Sequence, residues 1–519
     1  MSATRPLRAE GYAAGMPSRR TTAVVDLGSN SFRLVVFSWT KRWWKRTDEI
    51  YEAVRIGAGL NETGRLDDER VERALSTVEV FDHFCRASEI DDVVAVATSA
   101  IRDAANGEEF VKRAALDVRV LSPEEEAGYG YLAAVNSTTL ADGAVLDIGG
   151  GSVQLVEVRN RFEGQLASWR LGAVRMSERF LPDGEPASKK ALKALRSHAS
   201  KKLGSAEWLE GSGDRLVGIG GTVRNLAAAV QRAAGLPSIG VQGFVLTREA
   251  LDGLVDDLAA LPAAERGRVP GVKPARGDVI LAGAVVLQAV LEAGGFDGIE
   301  VTEAGLREGI FFERHLADRE HPLFADVRRT SVENLAAQYG ARDEHTRHVA
   351  TLTLAMFDEL AEAGLHDGDP AERELLWAAA ILHDIGVAVD YDDHHHHSRY
   401  LILNGALPGF TQREVALVAE MVRYHRKGMP AFSDDLAPLV GKNDRAILDR
   451  GATLLRLAEG LERSRDQLVR AAHVEVNGKG PVRLRLEADG DASVARWAVE
   501  RESELFERAF ARPLEIAAP

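Results

Sequence analysis

The chain has 519 residues, with 64 basic and 79 acidic side chains and a formal net charge of −15. That acidity argues against wide nucleic-acid binding and obliges any polyanionic ligand to meet a local basic groove. The single cysteine, Cys85, excludes an intrachain disulfide and fits a reducing cytosol; no apolar run reaches the roughly 20 residues of a membrane span; and the length predicts about three domains.

The first twenty residues carry arginines and small residues without an apolar stretch, and read as a disordered lead rather than a signal peptide. Residues 23–37 are AVVDLGSNSFRLVVF, and residues 144–158 are AVLDIGGGSVQLVEV. Ala, Val, Asp, Gly, Ser, Leu and Val recur at the same offsets. Each copy is an apolar run, an aspartate, a small-residue turn and an alternating strand, which predicts a hairpin whose tip permits close backbone approach. The two copies predict two related lobes facing one cleft, over 21–140 and 141–314.

Between and after the copies the pattern is α/β. Helices are predicted over 66–88, 123–134 and 189–203, and strands over 93–97 and 118–121. A strand over 216–219 runs into Gly220-Gly221-Thr222 and a helix to 230, an arrangement that points backbone N–H groups at an anion. Residues 279–291 read as a buried helix and 299–302 as a strand. The composition shifts near 313–327. Helices over 330–339, 344–362 and 371–382 then predict a separate α-helical domain, spanning 325–467. A hairpin over 474–486 and a helix over 493–510 predict a small α+β region, 468–519.

Glycine-rich turns suit phosphate, because backbone amides reach phosphoryl oxygens and Ser or Asn side chains add donors. The candidates are Ser29, Asn30 and Ser31; Gly149, Gly150, Gly151 and Ser152; and Gly220, Gly221 and Thr222. Asp26 and Asp147 end their strands and can hold Mg²⁺ directly or through water. Ser122, Pro123, Glu124 and Glu125 fit N-cap, N1, N2 and N3 of a helix, with Ser122 and Glu125 as a capping box. Glu126 is not needed for the cap.

The motifs DLGSNSFRL, ATSAIRDAAN, SPEEEAGYGYLAA, DIGGGSVQL, LGAVRMSERF, GIGGTVRNLA and GLREGI, in this order over 22–312, resemble the exopolyphosphatase/guanosine pentaphosphate phosphatase family. The stretches LHDIG, HHHHSRYLILNGALPGF and VRYHRKGMP resemble its long members, which carry an HD-like helical domain. The resemblance implies two actin-like (ribonuclease H-like) lobes around a cleft. It implies Glu126 as catalytic base, with Glu125 the alternative, and Arg102 and Arg276 as phosphate grips. Asp147 and Asp26 would bind Mg²⁺ or Mn²⁺. Val153-Gln154 stands where the family reads Thr-Glu, so Gln154 offers only a weak, uncharged ligand. Glu303 stands where the family commonly has Asp. In the helical half, His345, His383, Asp384 and Asp466 match the HD metal pattern, with His397 and His425 as extra ligands for a second divalent metal.

The function implied is an exopolyphosphatase. The close alternative is a guanosine pentaphosphate 5′-phosphohydrolase, the ligand then being a (p)ppGpp-type alarmone. An actin-like ATPase or sugar kinase, with its adenine pocket at the GIGGTVRNLA segment, and a non-catalytic alarmone or polyphosphate sensor are the readings from other classes. A cytoplasmic homodimer without membrane or specific nucleic-acid partners is expected.

Overall fold

A computed structural model describes residues 19–517 apart from 91, 182–184 and 342–343. The expected lead over 1–20 therefore falls, but for its last two residues, outside the described residues. No helix among those described is long and apolar enough to cross a membrane.

The first lobe is built on β1 (Arg20–Leu27), β2 (Phe32–Trp39), β3 (Trp44–Glu52), β4 (Asp92–Ala97) and β5 (Val118–Val120), in the order β3-β2-β1-β4-β5. β1 to β3 are antiparallel neighbours, while β4 and β5 run parallel to β1. Ala23, Val24 and Val25 are fully buried, so β1 is covered on both faces and reads as an unbroken apolar run. Helix α1 (Asp68–Ala87) covers one face with Val71, Ala74, Leu75, Val78 and Phe81, an amphipathic spacing. A five-residue helix, α2 (Ser99–Asp103), follows β4, and α3 (Pro123–Val135) follows β5.

The second lobe carries β6 (Gly143–Ile148), β7 (Val153–Arg159), β8 (Phe162–Trp169), β9 (Leu216–Ile219), β10 (Phe244–Thr247) and β11 (Gly298–Val301), ordered β10-β11-β9-β6-β7-β8. The run β8-β7-β6-β9-β11 repeats the plan of the first sheet, with β10 added antiparallel at the edge. The repeat seen in the sequence is thus a repeat of topology. Register places Asp26 opposite Arg33 and Asp147 opposite Gln154. The principal helices are α4 (Ala173–Phe180), α5 (Gly220–Ala233) and α6 (Ile280–Gly294). Helix α6 is apolar except for Gln288 and Glu292 and is buried along almost its whole length.

Helix α7 (Leu306–His315) follows β11 in sequence but crosses back to the first lobe. Its Phe311 stacks on Phe37 at 4.3 Å between ring centroids. Gly309 of α7 lies so close to the Tyr129 backbone of α3 that a Cβ would collide with it. The chain then passes Phe324, stacked on Trp44 at 4.9 Å, into the helical domain. That domain packs α8 (Val327–Gln338), α9 (Glu344–Glu362), α10 (Pro370–Leu382), α11 (His394–Asn404), α12 (Gln412–Arg423) and α13 (Asp444–Leu461) around one core. Gln338 donates to the Trp44 carbonyl (3.0 Å) and Gln412 to the Gly240 carbonyl (2.7 Å), tying this domain to both lobes.

The terminal region is a small sheet of β12 (Val469–Val476), β13 (Val482–Ala488) and β14 (Leu514–Ile516). The single helix expected over 493–510 is two, α14 (Ser493–Glu500) and α15 (Ser503–Phe510). The break falls at Glu502, which pairs with Arg456 of α13 at 3.1 Å. Beyond it the chain redirects Phe506 and Phe510 into the core.

Candidate active site and a second polar cluster

The two hairpin tips meet in the cleft. Each turn closes on itself, Gly28 N–H to the Ser31 carbonyl (3.2 Å) and Gly149 N–H to the Ser152 carbonyl (3.0 Å). Ser29 and Ser99 share a hydrogen bond of 3.0 Å, and a Cβ on Gly151 would strike both hydroxyls. Gly220 has φ +85° and presses against the Asp147 carboxylate, so two separate constraints exclude a side chain there.

Between the tips lies a cavity of about 120 Å³. It is lined by Asp26, Glu126 and Asp147, by the turn residues Ser29, Asn30, Ser31, Gly149, Gly150, Gly220 and Gly221, and by Arg33, Arg224, Arg276 and Arg307. Ser122 and Glu125 form the expected capping box, with Glu125 also paired to exposed Arg119 at 3.0 Å. Glu126, one residue on, is buried and turned into the cavity. Burial pushes its carboxyl up to about 7; Arg102 opposes the rise, while Asp147 and Asp26 add to it. Burial likewise raises Asp147 to about 6, against the pull of Arg224. Asp26 is raised by burial, with Arg307 and Arg33 opposing. Arg224 is held down to about 10 by burial and by Arg307, and Arg276 is lowered by burial and by Arg33. This is an electropositive wall facing three acids of weakened acidity.

Several predicted site residues sit elsewhere. Arg102 lies behind Glu126 rather than in the cavity: its Nη1 donates to Glu126 Oε2 (2.9 Å) and to the Leu121 carbonyl (2.8 Å). Thr222 is buried with its hydroxyl on the Ile148 carbonyl (3.0 Å). Gly151, Ser152 and Gln154 are buried behind the turn. Gln154 donates to Ser152 Oγ (2.9 Å), and its Oε1 has no hydrogen-bond partner among the described residues. The sequence reading missed Arg33, Arg224 and Arg307. Each lay inside a motif that drew attention for its glycines or its aspartate, and the signal was an arginine just beyond the turn. Arg307 is buried with Nε and Nη1 unpartnered among the described residues, so its donors are free for a ligand. The same four arginines also border an adjoining chamber of about 440 Å³, which adds Arg46, Arg232 and Lys273.

Asp26 and Asp147, with the unpartnered Gln154 oxygen behind them, are hard oxygen donors of the kind Mg²⁺ and Mn²⁺ take. The residues present therefore fit such an ion.

A second cluster is buried in the helical domain, its Asp384 also paired through Oδ2 with half-exposed Arg465 at 2.8 Å. His345 Nε2 lies 3.2 Å from Glu459 Oε2, and His383 Nε2 lies 3.5 Å from the same oxygen. Asp384 Oδ1 lies 3.1 Å from His394 Nε2 and 3.8 Å from His425 Nε2. All six are buried and fall into two adjoining three-residue groups. Asp466 is not among them. Helix α13 ends at Leu461, the chain turns, and exposed Asp466 accepts from Leu468 N–H (3.1 Å). Glu459, a heptad earlier and still within α13, supplies the acid instead. His397 is half-buried and outside both groups, and His394, the first residue of α11, faces Asp384 in its stead. The basic tract over 422–430 is largely neutralised: Arg423 pairs with Glu420, Lys427 pairs with Asp393, and His425 is buried in the cluster.

The Ppx/GppA phosphatase family matches residues 45–317, and domain III of Ppx/GppA phosphatases matches residues 327–496. Among solved structures, the crystal structure of the Aquifex aeolicus Ppx/GppA family member is 30% identical with a TM-score of 0.52, over 59% of this chain and 100% of that one. An exopolyphosphatase from Cytophaga hutchinsonii shares the fold at 22% identity and a TM-score of 0.53, over 57% of this chain and 98% of that one.

Proposed function

The chain belongs to the Ppx/GppA phosphatase family, and from that premise we propose that it is an exopolyphosphatase, releasing terminal phosphate from inorganic polyphosphate. The observation that carries this reading is the continuity of charge. A small cavity holding Asp26, Glu126 and Asp147 opens past four shared arginines into a larger basic chamber. A terminal phosphate fits the first space and the polyanionic remainder the second.

Glu126 is the base. Its carboxylate takes a proton from water as the water oxygen attacks the terminal phosphorus. The phosphorus–bridging oxygen bond breaks, and the shortened polymer departs with that oxygen and its charge. Arg276 and Arg307 match charge on the phosphates, and the two hairpin turns offer backbone N–H groups. Catalysis of this kind comes from positioning and charge neutralisation more than from covalent chemistry. Asp147 and Asp26 would hold Mg²⁺ or Mn²⁺, which when bound neutralises the phosphoryl oxygens.

No aromatic side chain is among the described residues lining the larger chamber. The polymer is favoured by the number of cations there, Arg46, Arg232 and Lys273 beyond the four shared arginines, which exceeds what one nucleotide's phosphates need. Phosphate release from long polyphosphate and from guanosine pentaphosphate, each with Mg²⁺, tests the choice. A higher kcat/KM for the nucleotide would replace the reading with the alarmone hydrolase.

For the helical domain the proposal is a divalent metal centre. His383 and His425 donate Nδ1–H to the carbonyls of Ala380 (2.8 Å) and Val422 (2.6 Å), which turns each Nε2 inward, where a neutral ring offers its lone pair to a cation. The His425 lone pair meets His394 Nε2 at 3.1 Å, and His383 Nε2, Asp384 Oδ1 and Glu459 Oε2 are buried without hydrogen-bond partners among the described residues. A cation in each of the two groups satisfies these atoms, and imidazole with carboxylate suits Mn, Fe, Zn or Ni. Elemental analysis of the purified chain should find such a metal, reduced in Glu459→Gln and unchanged in Asp466→Asn. Metal-free protein with these residues intact would refute the centre.

A further inference from the structure

Asp103 ends α2, next to Arg102, and has no part in the reaction above. Yet three arginines converge on its carboxylate. Arg175 Nη2 lies 3.1 Å from Oδ2, Arg170 Nε 3.3 Å from the same oxygen, and Arg102 Nε 4.0 Å from Oδ1. Arg170 and Arg175 belong to the other lobe. Arg175 lies in α4, is 15% exposed, and spans the cleft: its Nη1 donates to Asn61 Oδ1 (2.6 Å) in the first lobe and its Nε to the Gly151 carbonyl (3.1 Å) in the second. Burial works against the Arg175 charge and Asp103 supports it. Glu178, three residues on, accepts from Gly59 N–H (3.1 Å) and Asn61 Nδ2 (2.8 Å). The lobes are therefore joined here by polar contacts that water replaces readily when they part.

Arg102 stands between two carboxylates. It is in hydrogen-bond contact with Glu126, which Asp103 would otherwise contest from one residue away. The other groups facing it are the Leu121 carbonyl and Glu124, whose acid it strengthens from a distance. A carboxylate already held by two cations competes weakly for a third, whereas one stripped of them competes strongly.

We propose that Asp103 is a positioning residue through which closure of the cleft sets Arg102 on Glu126. With the lobes together, Arg170 and Arg175 occupy Asp103 and leave Arg102 to the base. With the lobes apart, Asp103 keeps only Arg102 and draws it off. The kinetic part of this inference rests on the exopolyphosphatase reading; the geometric part does not.

The test is Arg175→Gln, with and without Asp103→Asn, read by crystallography and by kinetics. In Arg175→Gln the Arg102 guanidinium should move from Glu126 to Asp103. Kcat should fall roughly tenfold, part of what a general base contributes. KM for polyphosphate should hold, because Arg175 lines neither the 120 Å³ cavity nor the 440 Å³ chamber. Adding Asp103→Asn should return Arg102 to Glu126 and recover most of kcat, a rescue that a merely structural Arg175 would not give. Should Arg175→Gln fail to fold, Arg170→Gln, at a side chain 72% exposed, should show a smaller change of the same sign. Arg102 remaining on Glu126, or additive losses in the double variant, would overturn the proposal. A wild-type chain that releases no phosphate, in which Arg175→Gln still moves Arg102, would overturn the assigned activity and leave the relay standing.

Discussion

The cleft and the helical cluster solve the placing of buried charge by different means. In the cleft, acids end the strands of a duplicated hairpin, and Asp26 and Asp147 keep partial exposure to a shared cavity. Their counter-charges are arginines, of which Arg307 has two donors without partners among the described residues. In the helical domain, His383 and His425 are wholly buried and the acids reach them from neighbouring helices. Oxygen and guanidinium groups around an open cavity suit a phosphate that comes and goes; imidazoles in a closed core suit an ion that stays. The lesson is that conformational access separates the two sites more clearly than the density of titratable groups, which is high in both.

The sharpest way to break this comparison is at Glu126. Glu126→Ala should lower phosphate release by about 10²- to 10⁴-fold while polyphosphate still binds. Glu125→Ala should instead cost about 0.3–1.5 kcal/mol of stability, through loss of the Ser122 N–H bond to its carboxylate, with turnover kept. The reverse pattern would move the base by one residue. The same experiment in the helical domain, His383→Ala in a chain shown to remain folded, should leave release near its wild-type rate; loss of all hydrolysis would put the working site there.

The next effect is a pH dependence. A base must be ionised, so release should rise as pH climbs through about 7, where burial has pushed the Glu126 carboxyl. Arg102 opposes that rise, so Arg102→Gln should carry the acid limb to higher pH. For stability the sign is opposite. A carboxyl raised above its usual 4.5 favours the fold in its protonated form, and that contribution is lost as pH rises through about 7. Glu126→Gln should therefore raise the melting temperature more at pH 8 than at pH 5. An unmoved acid limb in Arg102→Gln would detach Arg102 from the base.

Much of the cleft was legible in the sequence and little of the second cluster's detail. The hairpins show because period-two alternation, a terminal aspartate and a glycine turn are local signals. The Ser122 cap shows for the same reason, and it separates Glu125 from Glu126. Arg33, Arg224 and Arg307 do not, because their convergence depends on how two sheets and α7 come together in space. Glu459 and Asp466 are a heptad apart and would share a face of one long helix; only the end of α13 at Leu461 decides between them. His394 and His397 are three apart, and only the start of α11 at His394 separates them. The composition shift suggests a cut near His315, yet Phe324 is buried against Trp44 beyond it, and the Trp44 N–H donates to Asn334 of α8 (2.8 Å). Losing a buried Phe costs about 3–5 kcal/mol. A chain ending at His315 should melt roughly 5–15 °C below one ending at Gly340. Equal melting would show that the first lobe closes without Phe324.

Salt gives a smaller effect that again divides the two regions. If all four cleft arginines engage polyphosphate, log KM should rise with log salt at a slope of about 3, each contact displacing a counterion. A metal held by direct ligation in the buried helical cluster should respond far less. A salt-insensitive KM would favour a short ligand read by hydrogen bonds.

The smallest expected change is at Gln154, where the repeat itself supplies the argument. Arg33 and Gln154 occupy the same offset in the two hairpins, each across from its strand-end aspartate. One lobe thus sets a cation against Asp26, while the other sets a neutral amide, its oxygen without a partner among the described residues, against Asp147. Gln154→Glu would reverse the Ser152 hydrogen bond, the hydroxyl then donating to the carboxylate, and would bury a charge beside a carboxyl already raised to about 6. Without metal the variant should be less stable than wild type, because an unpaired buried charge is costly. With Mg²⁺ the charge gains a partner, so the rise in melting temperature on adding Mg²⁺ should be larger than in wild type. The Mg²⁺ concentration for half-maximal phosphate release should fall by about 3- to 10-fold, roughly 1 kcal/mol of added binding. The same magnesium response in both proteins would mean that the ion lies on the Asp26 side of the cleft, beyond reach of position 154.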